Sequence, residues 1–134
     1  MIRSKLGLLA SVPLLALAGG VSAAAAATAI PHGLSWQYPH TVTSGVAAAV
    51  ASVSRCPAVP SGDSAVVQVT LSYGVGGSNS DTLPIGTGGS WKGTVNFVFS
   101  GVGGTATISA ECLDLSRGGV PLAKYKPHSV TLVS

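Results

Sequence analysis

The sequence predicts an all-β protein: an antiparallel sandwich of about seven short strands, held by one disulfide. Three observations carry that expectation. Three stretches alternate apolar and polar residues with a period of two. Turn-forming residues recur every eight to twelve positions or so, as they do between short strands. The only two cysteines, Cys56 and Cys112, lie far apart in the chain.

The alternation is clearest from Ala65 to Tyr73, where Val67, Val69, Leu71 and Tyr73 share one face and Gln68, Thr70 and Ser72 the other. From Trp91 to Phe99, the residues Trp91, Val95, Phe97 and Phe99 oppose Lys92, Thr94 and Asn96. From Thr105 to Cys112, Ala106, Ile108, Ala110 and Cys112 oppose Thr105, Thr107, Ser109 and Glu111. That parity turns Cys112 inward, where a bridge between two sheets would sit. Further strands are expected at Thr41–Thr43, Val46–Ser54, around Thr82–Ile85 and at Ser129–Val133. The Ala-rich run in Val46–Ser54 could also begin a helix. Pro60-Ser61-Gly62-Asp63 reads as a turn, Gly101–Gly104 as a tight connection, and Gly118-Gly119 as a break before Pro121. The Gly/Ser-rich stretch Gly74–Ser90 reads as the longest mobile loop.

Ahead of these elements stands a leader. Arg3 and Lys5 form a basic start, Leu6–Ala18 an apolar stretch, and Val21-Ser22-Ala23 a small-residue cleavage pattern. Residues 1–23 are therefore expected to be a cleaved signal peptide, with processing after Ala23 or within Ala24–Ala29. A membrane anchor fits less well, because the apolar run is short for roughly 30 Å of hydrocarbon. Residues 24–40 then form an N-terminal arm and residues 41–134 the sandwich domain. The expected location is secreted or extracellular, with no integral membrane segment after processing.

Loss of the leader removes two of the seven basic residues and leaves a mature net charge of +1. Such a balance offers no electrostatic footprint for nucleic acid or an anionic membrane. In an oxidising compartment the two cysteines are expected to pair with each other. Lys124-Tyr125-Lys126 reads as a small solvated basic loop.

Candidate chemistry is sparse. No Gly-x-Ser-x-Gly elbow is present, since Gly88-Gly89-Ser90-Trp91-Lys92-Gly93 misses the spacing of a hydrolase nucleophile. His40 and His128 with Cys112 sketch a copper set, but a disulfide would take the cysteine and the leader carries the only methionine, Met1. Asp63 and Asp81 read as turn residues. Glu111 and Asp114 have opposite strand parity and cannot share a face as a carboxylate pair. No catalytic residue, metal site or cofactor is therefore expected. Trp36 and Tyr38 form an aromatic cluster in the arm which, with Trp91, makes a candidate ligand or partner contact. The competing reading packs these rings over one end of the sandwich.

The segments "SVSRCPA", "VVQVTLSYG", "GSWKGTVNFVF" and "GVGGTATISAECLD" resemble the small Ig-like domains of secreted actinobacterial proteins. The resemblance runs from Val42 to Ser134 and implies a fold and an export habit rather than an activity. Antibody-type features are missing: no Trp lies on the strand after Cys56, and Ala110 stands where a Tyr would precede the second cysteine. A more distant similarity in size, export and architecture is to the neocarzinostatin family of carrier apoproteins, which normally have two disulfides.

The functional expectation is a non-enzymatic domain acting by surface contacts in the envelope or extracellular space. Its partner class stays open among protein, glycan and small ligand, and its oligomeric state stays open too. The alternatives are a carrier apoprotein for a small ligand and, less favoured, a protease inhibitor presenting Gly74–Ser90. That loop's glycine content opposes the rigidity tight inhibitors need.

Overall fold

Alternating burial organises the chain from Trp36 to Val133. The computed structural model describes residues 29–74, 76–101 and 103–134. The expected signal peptide, and residues 24–28 of the arm, lie outside the described residues. Nine strands follow in order: β1 (Trp36–Gln37), β2 (Thr41–Thr43), β3 (Ala48–Ser52), β4 (Ala65–Tyr73), β5 (Gly77–Pro84), β6 (Lys92–Val95), β7 (Gly104–Asp114), β8 (Val120–Lys124) and β9 (His128–Val133).

They form two sheets. The smaller has the order β1-β3-β6; the larger runs β2-β9-β7-β4-β5, with β8 also beside β7. The strands β1, β3 and β6 occupy the places of strands A, B and E of an immunoglobulin-type sandwich. The strands β9, β7, β4 and β5 occupy those of G, F, C and C′. The expected Ig-like all-β sandwich is therefore the fold, with two more strands than the sequence suggested. One pairing departs from antiparallel order: β2 runs parallel to β9, with Val42 opposite Leu132.

The apolar faces read from the sequence meet in the core. Val67, Val69 and Leu71 of β4 and Ile108, Ala110 and Cys112 of β7 are all buried. Trp91, Val95, Phe97 and Phe99 join them from the smaller sheet's side. The Ala-rich segment is the strand β3, so the helical alternative does not apply.

Three expectations need correction. Gly74–Ser90 is not one long loop, because β5 pairs with β4 along its whole length, from Tyr73↔Gly77 to Val66↔Pro84. Gly74, at φ 59, makes the tight reversal that starts this hairpin. Of its inward residues, Asn79 and Asp81 are polar and only Leu83 is a large apolar one, so no hydrophobic alternation marks the strand. Their partners are specific: Asn79 Nδ2 donates to Val98 O (2.9 Å), and Asp81 Oδ2 accepts from Asn96 N (3.1 Å). Asp81 therefore belongs to a strand and not to a turn.

Those bonds also explain the second correction. Strand β6 ends at Val95, although Phe97 and Phe99 stay buried as the alternation requires. Beyond Val95 the backbone bonds outside any ladder: Phe97 O accepts from Gly45 N (2.8 Å), and the Ser44 hydroxyl joins both Phe99 N and Phe99 O. Third, Tyr125 is 2% exposed and belongs to the core, not to a solvated loop.

Cys56 and Cys112 form the expected disulfide, with Cα atoms 6.0 Å apart. It ties the segment just beyond β3 to β7, inside the larger sheet. Gly89 (φ 89) lies against it and accepts from Cys56 N through its carbonyl (2.9 Å). A Cβ at Gly89 would collide with the Cys56 carbonyl oxygen. Closing 56 residues of sequence removes roughly 4 kcal/mol worth of denatured-state freedom in the chain-entropy picture. Replacing both cysteines with alanine is expected to lower the unfolding free energy by about that amount, read by urea titration of both proteins.

Candidate functional site

Tyr125 follows β8, and its N–H donates to Ala110 O (2.8 Å), which fixes the ring over β7. Its hydroxyl donates to Ser54 O (2.6 Å), accepts from Trp91 Nε1 (3.0 Å) and lies 3.7 Å from Cys56 Sγ. Burial pushes this phenol's pKa up, partly offset by the Trp91 N–H. Trp91 meets the Tyr125 ring edge-on, with centroids 5.2 Å apart. Trp36 completes the cluster at 6.2 Å from Trp91, its indole N–H donating to Lys126 O (2.7 Å).

The structure thus brings together the three rings singled out in the sequence, since Tyr38 lies 5.7 Å from Trp36. Trp36 and Trp91 are buried; Tyr38 is only half-buried. Tyr38 stacks on His128 with centroids 3.8 Å apart and meets His40 edge-on at 5.2 Å. Burial holds the His128 imidazole below its ordinary pKa, and Lys126 and His40 push it the same way. His40 and His128 therefore share one patch, while the Cys112 sulfur is bonded in the bridge. Among the described residues no three His, Cys, Asp or Glu side chains gather in a metal-holding set.

A second polar cluster sits at the end of β7. Asp114 has the inward parity of Cys112 and is 1% exposed. Its Oδ1 accepts from Ser116 N (3.0 Å), capping a short 3-10 turn at Leu115–Arg117. Arg117 Nε lies 3.4 Å from Asp114 Oδ2 and 3.2 Å from Asp63 Oδ2, tying the Pro60–Asp63 turn to β7. Burial and then the neighbouring Asp63 carboxyl raise the Asp114 pKa from its ordinary value.

Two of the surface concavities bear on function. One, of about 460 Å³, opens between the sheets and is lined by Ala51, Pro84, Ile85 and Trp91 among others. The other, of about 370 Å³, lies on the outer face of the larger sheet. Gln68, Thr70, Ser109, Glu111 and Lys124 line it, with His32 and Gly33 of the arm alongside. No known family, curated protein or solved structure matches this chain.

Sequence reasoning found the ring cluster but not its centre. Tyr125 is masked by Lys124 and Lys126, although Ala123, Tyr125 and their lysine neighbours do alternate in the way a half-buried strand requires. The outer groove has no sequence signature, because pairing register and the arm create it.

Two expected outcomes follow from these clusters. Tyr125→Phe leaves Trp91 Nε1 and Ser54 O without their partner and should cost about 1–3 kcal/mol in a urea titration. Asp114 holds its proton more tightly folded than unfolded, so its ionisation opposes folding as pH rises above about 3.9. Asp114→Asn keeps an acceptor for Ser116 N. Its stability relative to the parent should therefore rise between pH 3.5 and pH 7, measured by urea titration of both proteins across that range.

Proposed function

We propose that this chain is an exported, non-catalytic Ig-like domain that works by surface contact in the envelope or extracellular space. The observation that carries this reading is the division of labour between the two faces of the larger sheet. The inward face holds the disulfide and the apolar core. The outward face presents Ser72, Ser78, Ser80, Thr82, Thr105 and Thr107, short hydroxyl side chains that are exposed and uncharged. A sheet face of short hydroxyl side chains suits recognition, where prearranged groups lower the ordering cost of binding. Export is supported by the leader sequence and by the disulfide, which persists in oxidising compartments. No described helix is long and apolar enough to cross a membrane.

A carrier role is the second reading, favoured by the mostly apolar cleft between the sheets. The contact reading expects saturable binding of labelled mature protein to envelope fractions of its host, and no turnover against a broad hydrolase panel. Turnover above background, or envelope binding that never saturates, would overturn it. A small molecule co-purifying from the host in native mass spectrometry would favour the carrier instead.

A further inference from the structure

We propose that the outer groove of the larger sheet is a saccharide site that takes one neutral sugar unit. The proposal rests on the contact reading above and names the chemistry that is contacted.

Strand register builds the floor of the groove. Gln68 of β4 stands opposite Glu111 of β7, which in turn stands opposite Lys124 of β8. One rung along, Thr70 faces Ser109. Side chains two positions apart share a face, so both rungs point outward together. Amide, carboxylate, ammonium and two hydroxyls therefore project from three adjacent strands into one hollow.

The arm makes the wall. Its backbone is tied to β8 and the residues beyond it by Lys124 N to Pro31 O (3.0 Å), Leu34 N to Lys124 O (3.2 Å) and Lys126 N to Leu34 O (3.0 Å). This seats His32 and Gly33 beside the two rungs. Elsewhere on the outer face Ser72, Thr105 and Thr107 are exposed, whereas Gln68, Thr70, Ser109 and Glu111 are half-buried. The hollow is thus present before any ligand arrives, and its base is sheet rather than loop.

Most of the polar side chains in it are unengaged. Thr70 pairs with Ser80 (3.0 Å), but among the described residues the side chains of Gln68, Ser109, Glu111 and Lys124 bond to no other protein group. Both ion pairs among the described residues belong to Arg117, so Glu111 and Lys124 stand in register without closing on each other.

That inventory selects a ligand class. A carboxylate only accepts and an ammonium only donates, while amides and hydroxyls do both. Each hydroxyl of a sugar can donate to Glu111 or Gln68 and accept from Lys124, Gln68 or Ser109. An anionic ligand would meet Glu111 and a cationic one Lys124. A purely apolar ligand would strip water from four polar groups and return nothing. The two charges cancel, which matches a neutral polyhydroxylated unit. Pro127, at the rim, offers an apolar surface for the C–H face of a ring.

The test is a titration of the disulfide-bonded mature protein, followed by 1H–15N correlation spectra, with chitotriose, cellotriose, maltotriose and xylotriose in turn. At least one is expected to give saturable shifts confined to Gln68, Thr70, Ser109, Glu111, Lys124 and the arm at His32–Gly33. Gln68→Ala and Lys124→Ala should each weaken that binding at least tenfold at unchanged Tm. Thr107→Ala, on the same face outside the groove, should leave it unaltered. Shifts elsewhere, binding indifferent to Gln68→Ala, or no saturable shift with any of the four sugars would overturn the proposal. If envelope binding survives Gln68→Ala and Lys124→Ala, the saccharide site falls and the contact reading stands. If the parent protein never binds the envelope, that reading fails first.

Discussion

The Cys56–Cys112 bridge, together with the Tyr125 hydroxyl beside it, is the constraint on which the two-sheet arrangement depends. One sulfur follows β3 of the smaller sheet and the other lies on β7 of the larger. The Tyr125 hydroxyl reaches across the same divide, bonding Ser54 O and Trp91 Nε1 from its place after β8. Few aromatic residues are present to add to this by burial: the chain has only two Phe, two Trp and three Tyr. A small domain buries a limited share of its surface, and a covalent link of roughly 4 kcal/mol is then a large part of a typical net stability of about 5–15 kcal/mol. Gly89, which leaves no room for a side chain against Cys56, fits the same constraint.

How much of this was legible follows from where hydrophobic alternation survives. Strands β4 and β7 were readable because every second residue is apolar and buried, and the inward parity of Cys112 followed from the same rule. Only the end of strand β5, near Thr82, was readable, since Asn79 and Asp81 earlier in it point inward but are polar, satisfied by backbone atoms of Val98 and Asn96. Those are contacts between segments that no local pattern reports. The burial of Phe97 and Phe99 was legible even though the end of the strand at Val95 was not. Alternation reports which side chains point inward, whereas ladder bonding depends on where the neighbouring backbone lies. Asp114 has the inward parity of its strand, and its burial beside Arg117 depends on the Leu115–Arg117 turn that brings the guanidinium back.

The candidate site divides along the same line. Trp36, Tyr38 and Trp91 stood out in the sequence because aromatic residues are scarce in it, and the fold does bring them together. Two of them serve the interior, and the ring nearer to solvent, Tyr38, is stacked on His128. The outer groove draws on ordinary residues, Gln68, Ser109, Glu111 and Lys124, whose convergence comes from register across β4, β7 and β8. Composition cannot announce such a site; the sheet assembles it. The domain thus keeps its stabilising chemistry on the inward face, and the residues of the proposed outer site can vary without disturbing the bridge.

The most direct test of this dependence is a double-mutant cycle between the bridge and the hydroxyl. Unfolding free energies are needed for the parent, Tyr125→Phe, the Cys56→Ala/Cys112→Ala protein and the combination of the two. If bridge and hydroxyl act as one unit joining the sheets, the tyrosine substitution costs clearly less once the bridge is gone. The coupling would then fall within the 0.5–3 kcal/mol or so seen for residues in contact. Simple additivity, within about 0.3–0.5 kcal/mol, would contradict it and leave two independent clamps.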